Sequence, residues 1–196
     1  MTREPNTVIQ AAQMTLAIGQ MGLADYMAED PVRRRSGMHN AIVFGRAVTN
    51  ILETLRNSVD GDFDAWYKSR TSGLSRNAAY KRLYQMRSEI LKQGLDGTTS
   101  STYVAALSTE SLAGLPRPKG ATHFFIGDQN GGAGWMVPRP DGSEDVFYVE
   151  LPPSAGFVSK RTMTVEGAEL DVGSVLTDYL DEMKRLVNEA EQRFGG

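Results

Sequence analysis

The feature that most constrains the fold is a change of hydrophobic period at Gly94. Before it, apolar residues return every three or four positions, the spacing of a buried helical face; after it, they alternate between turn dipeptides. Val8, Ala12, Leu16, Gly19 and Leu23 predict a first helix opened by Pro5 and Asn6. After the "EDP" linker, Met38, Ile42, Gly45, Val48, Leu52 and Leu55 predict a second helix from about Val32 to Asn57. Small residues on the first helix (Ala11, Ala12, Ala17, Gly19, Gly22) would let another helix come close. Asp60 and Gly61 break the chain, Asp62 can cap, and Phe63, Trp66, Tyr67 and Leu74 give a short third helix. Ser75 is the expected cap of a fourth helix, Arg76 to Gln93, with Gly94 as its C′ residue. Short connections between four helices predict an antiparallel bundle.

Beyond Gly94, "GTTSST" and "GLPRPKGA" read as breakers and Tyr103 to Leu107 as a short strand. Then "THFFIGD", "GWMVP" and "EDVFYVELP" are separated by turns at Asn130-Gly131 and Asp141-Gly142, the pattern of a three-stranded antiparallel meander. Phe147, Val149 and Leu151 are expected on its buried face. Ser174 to Phe194 carries a strong amphipathic stripe and predicts a closing helix. A lone meander needs cover for its apolar face, and the last helix needs a partner. The expected architecture is therefore α+β within a single domain spanning residues 1–196. It comprises a helical part over 5–94, a β elaboration over 95–170 and a C-terminal helix over 171–196.

There is no cysteine in the 196 residues, which removes disulfides, thiolate zinc sites and a cysteine nucleophile and suits a reducing compartment. The N-terminus lacks the basic start and continuous apolar core of a signal peptide, and no run approaches the roughly eighteen apolar residues of a membrane span. A cytoplasmic location is the expectation. The net charge of −3 conceals an asymmetry: residues 31–94 hold 12 Lys/Arg against 5 Asp/Glu (+7), residues 1–30 sum to −3 and residues 95–196 to −7. Such a basic middle fits either a phosphate ligand or the acidic segments of its own chain or a partner.

Two stretches in that middle carry candidate chemistry. In "MRSEILKQG", Arg87 and Lys92 have four residues between them; in "RRRSGMHN", so do Arg34 and His39, with Asn40 adjacent. The first resembles the R-N-x-x-x-H signature of the HEPN superfamily, helical bundles that include many RNA-cleaving toxins and defence effectors, with Ser88 in place of the asparagine and Lys92 in place of the histidine. The second fits the looser form of the same pattern. "AIVFGRAVTNILETLRN", "FDAWY", "GDQNGGAGW" and "FYVELP" also resemble a family of uncharacterised bacterial proteins with a HEPN-like helical part. The resemblance implies an arginine that stabilises phosphate charge, a histidine that transfers protons, and a homodimer. A solvated lysine titrates at about 10.4 and shuttles protons poorly at neutral pH, so the expectation is binding without efficient cleavage.

The expected phosphate contacts are thus Arg33, Arg34, Arg35, Arg87 and Lys92, with Arg87 and His39 as catalytic candidates. The competing reading is a protein-interaction module of a defence or toxin-neutralising system, its basic helices docking on an acidic partner. Arg46, if its face is buried, is expected to pair with Glu53, Asp62, Asp64 or Glu89. Trp66 and Tyr67 are expected in the core rather than on a base. "GDQNGGAG" lacks the G-K-[ST] ending of a P-loop and joins two strands, so a hairpin turn accounts for its glycines. His123 has no second ligand at metal spacing, and neither a metal nor a cofactor is expected.

Overall fold

The computed structural model describes residues 4–28, 30–59, 61–94 and 96–195. Glu29 of the expected linker and Asp60 of the expected break lie outside these. The class is α+β, as the period change predicts.

Helices α1 (Pro5–Met27) and α2 (Pro31–Glu53) form an antiparallel hairpin, and a 3₁₀ turn over Thr54–Asn57 finishes the run that the sequence reads as one helix. Their close approach follows from glycine. A Cβ on Gly22 would lie 2.7 Å from the Ala41 amide nitrogen, and one on Gly37 would lie 2.5 Å from that of Tyr26. Backbone meets backbone there, so no side chain fits. Gly45 serves the last helix in the same way: its Cβ position stands 2.9 Å from both Leu180 Cδ2 and Tyr179 Cε1.

Helix α3 (Phe63–Arg76) is longer than expected, and α4 (Ala78–Gln93) starts later. Asn77, not Ser75, caps α4, its side chain accepting from the amides of Ala79 and Tyr80 at 2.9 and 3.2 Å. Ser75 instead donates to the Ser72 carbonyl, staying inside α3. Both residue types cap well, and Asn77 has the extended backbone that a cap needs. Gly94 ends α4 in the left-handed region, φ 70°, as its position suggests.

Two antiparallel sheets follow, where the sequence predicts one. The expected meander is present, with order β2 (Phe124–Ile126), β3 (Ala133–Pro138), β4 (Glu144–Tyr148). A second sheet pairs β1 (Thr99–Tyr103) with β5 (Val158–Val165) and β5 with β6 (Ala168–Asp171). The meander is thus an insertion within the second sheet, and the short helix α5 (Thr109–Ala113) lies on the way to it. Most of "GTTSST", expected as a breaker, lies in strand β1, and Tyr103 ends that strand rather than beginning one that runs to Leu107. The β5–β6 turn escapes notice because it uses Glu166 and Gly167, both at positive φ (50° and 85°), in place of an Asn-Gly or Asp-Gly pair.

Helix α6 (Val172–Phe194) closes the molecule, capped by Asp171, whose carboxylate accepts from the Ser174 amide at 2.8 Å. Leu176, Leu180, Met183 and Val187 pack with Val8, Ala12 and Leu16 of α1, Met38, Ile42 and Leu52 of α2, Leu83 and Met86 of α4, and Met163 of β5. One core therefore joins the bundle to the second sheet. At its end, Phe63, Trp66, Tyr67 and Phe194 form an aromatic cluster with centroids 5.1–6.3 Å apart, so Trp66 and Tyr67 take the expected core role. The meander packs mainly on itself, with Phe124 edge-on to Trp135 at 4.9 Å and Arg117 over Trp135 at 4.6 Å. The expected facing fails at Phe147 and Tyr148, whereas Val149 and Leu151 are half-buried and Glu150 exposed, as expected. Phe147 is 41 % exposed, while Tyr148 turns in over Gly132, where a Cβ would lie 2.5 Å from the tyrosine ring. Among the described residues, no helix is long and apolar enough to cross a membrane.

Candidate functional site

Two residues past Gly94, Asp96 becomes the hub of the basic middle. One carboxylate oxygen lies 3.7 Å from Arg35 Nε, 3.5 Å from His39 Nε2 and 3.4 Å from Arg161 Nη1. The other accepts from the Thr98 amide at 3.2 Å and the Thr98 hydroxyl at 2.6 Å. Burial alone would raise this carboxyl, but hydrogen bonds from His39 and Thr98, with the Arg161 charge, outweigh it and hold it well below the ordinary carboxylate range. Arg161 continues the network to the Thr98 hydroxyl at 2.8 Å and to the Gln129 carbonyl. The hub ties α2, the segment after α4, strand β5 and the meander turn together.

Arg35 and His39 stand one turn apart on α2 and share the face toward Asp96. The rest of the arginine run fans away. Arg33 pairs with Asp25, while Arg34 donates from Nε to the Ala28 carbonyl at 3.0 Å and from Nη1 to the Gly131 carbonyl at 3.4 Å. Five positions on a helix amount to about 140° of rotation, so Arg34 and His39 serve different neighbours. Arg87 and Lys92 part for the same reason. Lys92 is exposed, whereas Arg87 is half-buried near the Tyr179 phenol, its Nε buried with no hydrogen-bond partner among the described residues.

Arg46 departs from its expected pairing. Each proposed carboxylate is already engaged: Glu53 and Asp64 with Arg56, Asp62 with Arg193, Glu89 with Arg82. Arg46 instead donates to the Thr49 hydroxyl and lies 5.2 Å over the Tyr84 ring. Being only half-buried, its head keeps enough water to need no counter-charge.

The glycine-rich "GDQNGGAG" folds as a hairpin turn. Asp128 takes the amides of Asn130 and Gly132 at 3.0 and 2.9 Å and accepts from the Tyr148 hydroxyl, to which Asn130 Nδ2 donates at 2.7 Å. Burial, with the Asp128 hydrogen bond, pushes the Tyr148 phenol up to about 12. These two loop amides thus have a partner of their own and are not aimed at a phosphate. Among the described residues no group of three or more His, Asp or Glu stands close enough to hold a metal.

Between the end of α1, the start of α2, strands β1 and β5 and the start of α6 lies a cavity of about 160 Å³. Tyr26, Arg34, Asn130, Lys160, Arg161 and Asp171 line it, with hydroxyls from Ser100 and Ser159. Three cations face one carboxylate there, and Asp171 is occupied with the Ser174 amide and hydroxyl at 2.8 and 3.0 Å. Arg161 is largely committed to Asp96. Arg34 has no carboxylate partner among the described residues, and Lys160 is exposed with no ion pair there. The Tyr26 phenol, pushed up to about 12 by burial and by Asp171, stays protonated and can donate at neutral pH.

A second, larger cavity of about 720 Å³ shares Arg34 and Ser159 with the first. Val149, Leu151, Pro152 and Phe157 give it apolar walls, Tyr148 lines it, and its charged groups are Arg34, Asp30 and Glu150. Of the site residues expected from the sequence, Arg34 alone lines these cavities. Lys160 and Arg161, in "VSKRT", and Tyr26 carry no motif; the two cations, on a strand paired with β1, meet Tyr26 and Arg34 of the α1–α2 hairpin only in the fold.

No family model, curated protein or solved structure matches this chain.

Proposed function

We propose that the protein binds RNA or nucleotide phosphate through Arg34, Lys160 and Arg161, and that it does not cleave its ligand. The observation that carries this reading is the cavity in which three cations and several neutral donors converge while Arg34 and Lys160 lack carboxylate partners among the described residues. Such a lining supplies charge-assisted hydrogen bonds, which are the stronger class. The likeness of "RRRSGMHN" to the HEPN pattern supports phosphate as the anion. Loss of cleavage is favoured by geometry: His39 is turned to Asp96, and Arg34 is turned to Gly131.

The protein acts in this reading as a cytoplasmic homodimer of the defence type. The outward face of α1 suits a second copy: Met14 and Met21 are 71 % and 69 % exposed seven positions apart, with Ile18 between them, and α1 carries one charged residue, Asp25. A protein partner is favoured by a different surface. On α4, exposed Tyr84 and Leu91 stand beside exposed Lys81 and Lys92, a mixture that fits an acidic partner.

Fluorescence anisotropy with labelled RNA and labelled nucleotide at low ionic strength tests the main reading. Binding that weakens steeply with salt and falls in Arg34→Ala supports it. No binding of either probe at low salt removes it.

A further inference from the structure

The two adjoining cavities differ in charge, and that difference selects among phosphate ligands. We infer that the ligand is a free mononucleotide, its terminal phosphate held at Arg34 and Lys160 and its ribose and base lying in the larger cavity. This rests on the phosphate-binding reading above and narrows it.

Size is the first argument. A water molecule occupies about 30 Å³ of liquid, so the smaller cavity, about 160 Å³, accommodates a group of the bulk of one phosphate. The larger cavity, about 720 Å³, falls within the roughly 300–1,000 Å³ typical of small-molecule sites.

Charge is the second. An RNA strand needs cations repeated along its path. Here they are gathered at one end. Arg34 is the single charged residue common to both cavities, and beyond it the larger one presents Asp30 and Glu150. These carboxylates would repel a second phosphate, yet can accept hydrogen bonds from ribose hydroxyls or an exocyclic amine. On the other side, Asp171 stands at the cationic cavity. The neighbouring arginines do not continue a track, being engaged: Arg33 with Asp25, Arg35 with Asp96.

The larger cavity is also suited to a base. Its apolar wall includes Phe157 and Leu151, and Tyr148 is held in place by Asp128 and Asn130, so its ring is ordered before a ligand arrives. Aromatic rings are the platforms on which bases stack in single-strand binders.

Isothermal titration of the full chain at low salt decides the matter, using the four common nucleoside 5′-monophosphates, the matching nucleosides, inorganic phosphate and an RNA oligonucleotide with hydroxyls at both ends. The expected result is that at least one monophosphate binds about tenfold or more tighter than its nucleoside, than inorganic phosphate and than the oligonucleotide. Arg34→Ala and Lys160→Ala should each reduce that affinity, while Phe157→Ala should weaken the monophosphate and leave inorganic phosphate unchanged. If the hydroxyl-ended oligonucleotide binds as tightly as any monophosphate and depends on Arg34, phosphate binding stands and the mononucleotide is wrong. Equal affinity for inorganic phosphate and every monophosphate also overturns the inference, because the larger cavity then contributes nothing. Absence of binding by every probe overturns both readings.

Discussion

Gly22 and Gly37 meet backbone to backbone: a Cβ on Gly37 would stand 2.6 Å from the Gly22 carbonyl oxygen, and one on Gly22 would stand 2.7 Å from that of Gly37. This contact sets the separation of α1 and α2 at the end nearest the cationic cavity. Tyr26 lies one turn beyond Gly22, and Arg34 lies one turn before Gly37. The geometry of two lining residues thus depends on a pair of missing methyl groups.

Gly37→Ala is expected to destabilise the protein by about 2 kcal/mol, the middle of the overpacking range. The better helix propensity of alanine, worth about 1 kcal/mol, offsets only part of the clash. Urea denaturation measures the loss, and phosphate affinity should fall with it as the hairpin opens. An unchanged midpoint would mean that the helices slide apart at no cost.

Asp96→Asn should cost about 3 kcal/mol at neutral pH, since it leaves Arg35 and Arg161 without their carboxylate. Its pH dependence has a definite sign. The folded carboxyl is held below its unfolded value of about 4, so its contribution is complete above that pH and is lost as pH falls toward the folded value. Wild-type protein should therefore lose stability steeply below about pH 4, and Asp96→Asn should show a flatter acid limb. Denaturation curves across that range compare the two.

Glu166 sits at φ 50° in the β5–β6 turn, a region that costs a residue with a side chain about 1–2 kcal/mol. Asparagine tolerates it better and creates the Asn-Gly pair preferred by such turns. Glu166→Asn is expected to raise stability by about 1 kcal/mol, seen as a higher urea midpoint. A lower midpoint would show that the carboxylate makes a contribution greater than the strain.

Labelled RNA incubated with the protein and EDTA is expected to remain intact, because His39 faces Asp96 while Arg34 faces the meander turn. Cleavage that disappears in His39→Ala would contradict the binding-only function. In binding assays, Arg34→Ala should make the dependence on salt shallower by up to about 0.7 in log–log slope for a single-stranded ligand.

The helices were readable because their determinants are local. The three-to-four spacing in α2 and α6, the proline at the start of α1 and the glycine ending α4 all act within a turn or two of themselves. Ser75 misled because a serine near a helix start is chemically a good cap, and only backbone geometry favoured Asn77. The second sheet was missed because Thr99 pairs with Thr162, far along the chain, and its side chains alone resemble a loop. The site followed the same rule. Arg34 stood out within a motif, whereas Lys160, Arg161 and Asp96 acquire their roles through contacts with residues far along the chain. Arg46 shows the converse error, in which a plausible local partner, Glu53, was already taken by Arg56.

The cationic cavity takes its lining from residues between Tyr26 and Gly173. A growing polypeptide that has left the ribosome only through the α1–α2 hairpin therefore owns Arg34 but has nowhere to seat an anion. The lining is complete only once β5 has brought Lys160 and Arg161 and Asp171 has capped α6. A fragment that stops short of β5 would carry Arg34 and Tyr26 but neither Lys160 nor Arg161, and so only one of the three cations of the lining.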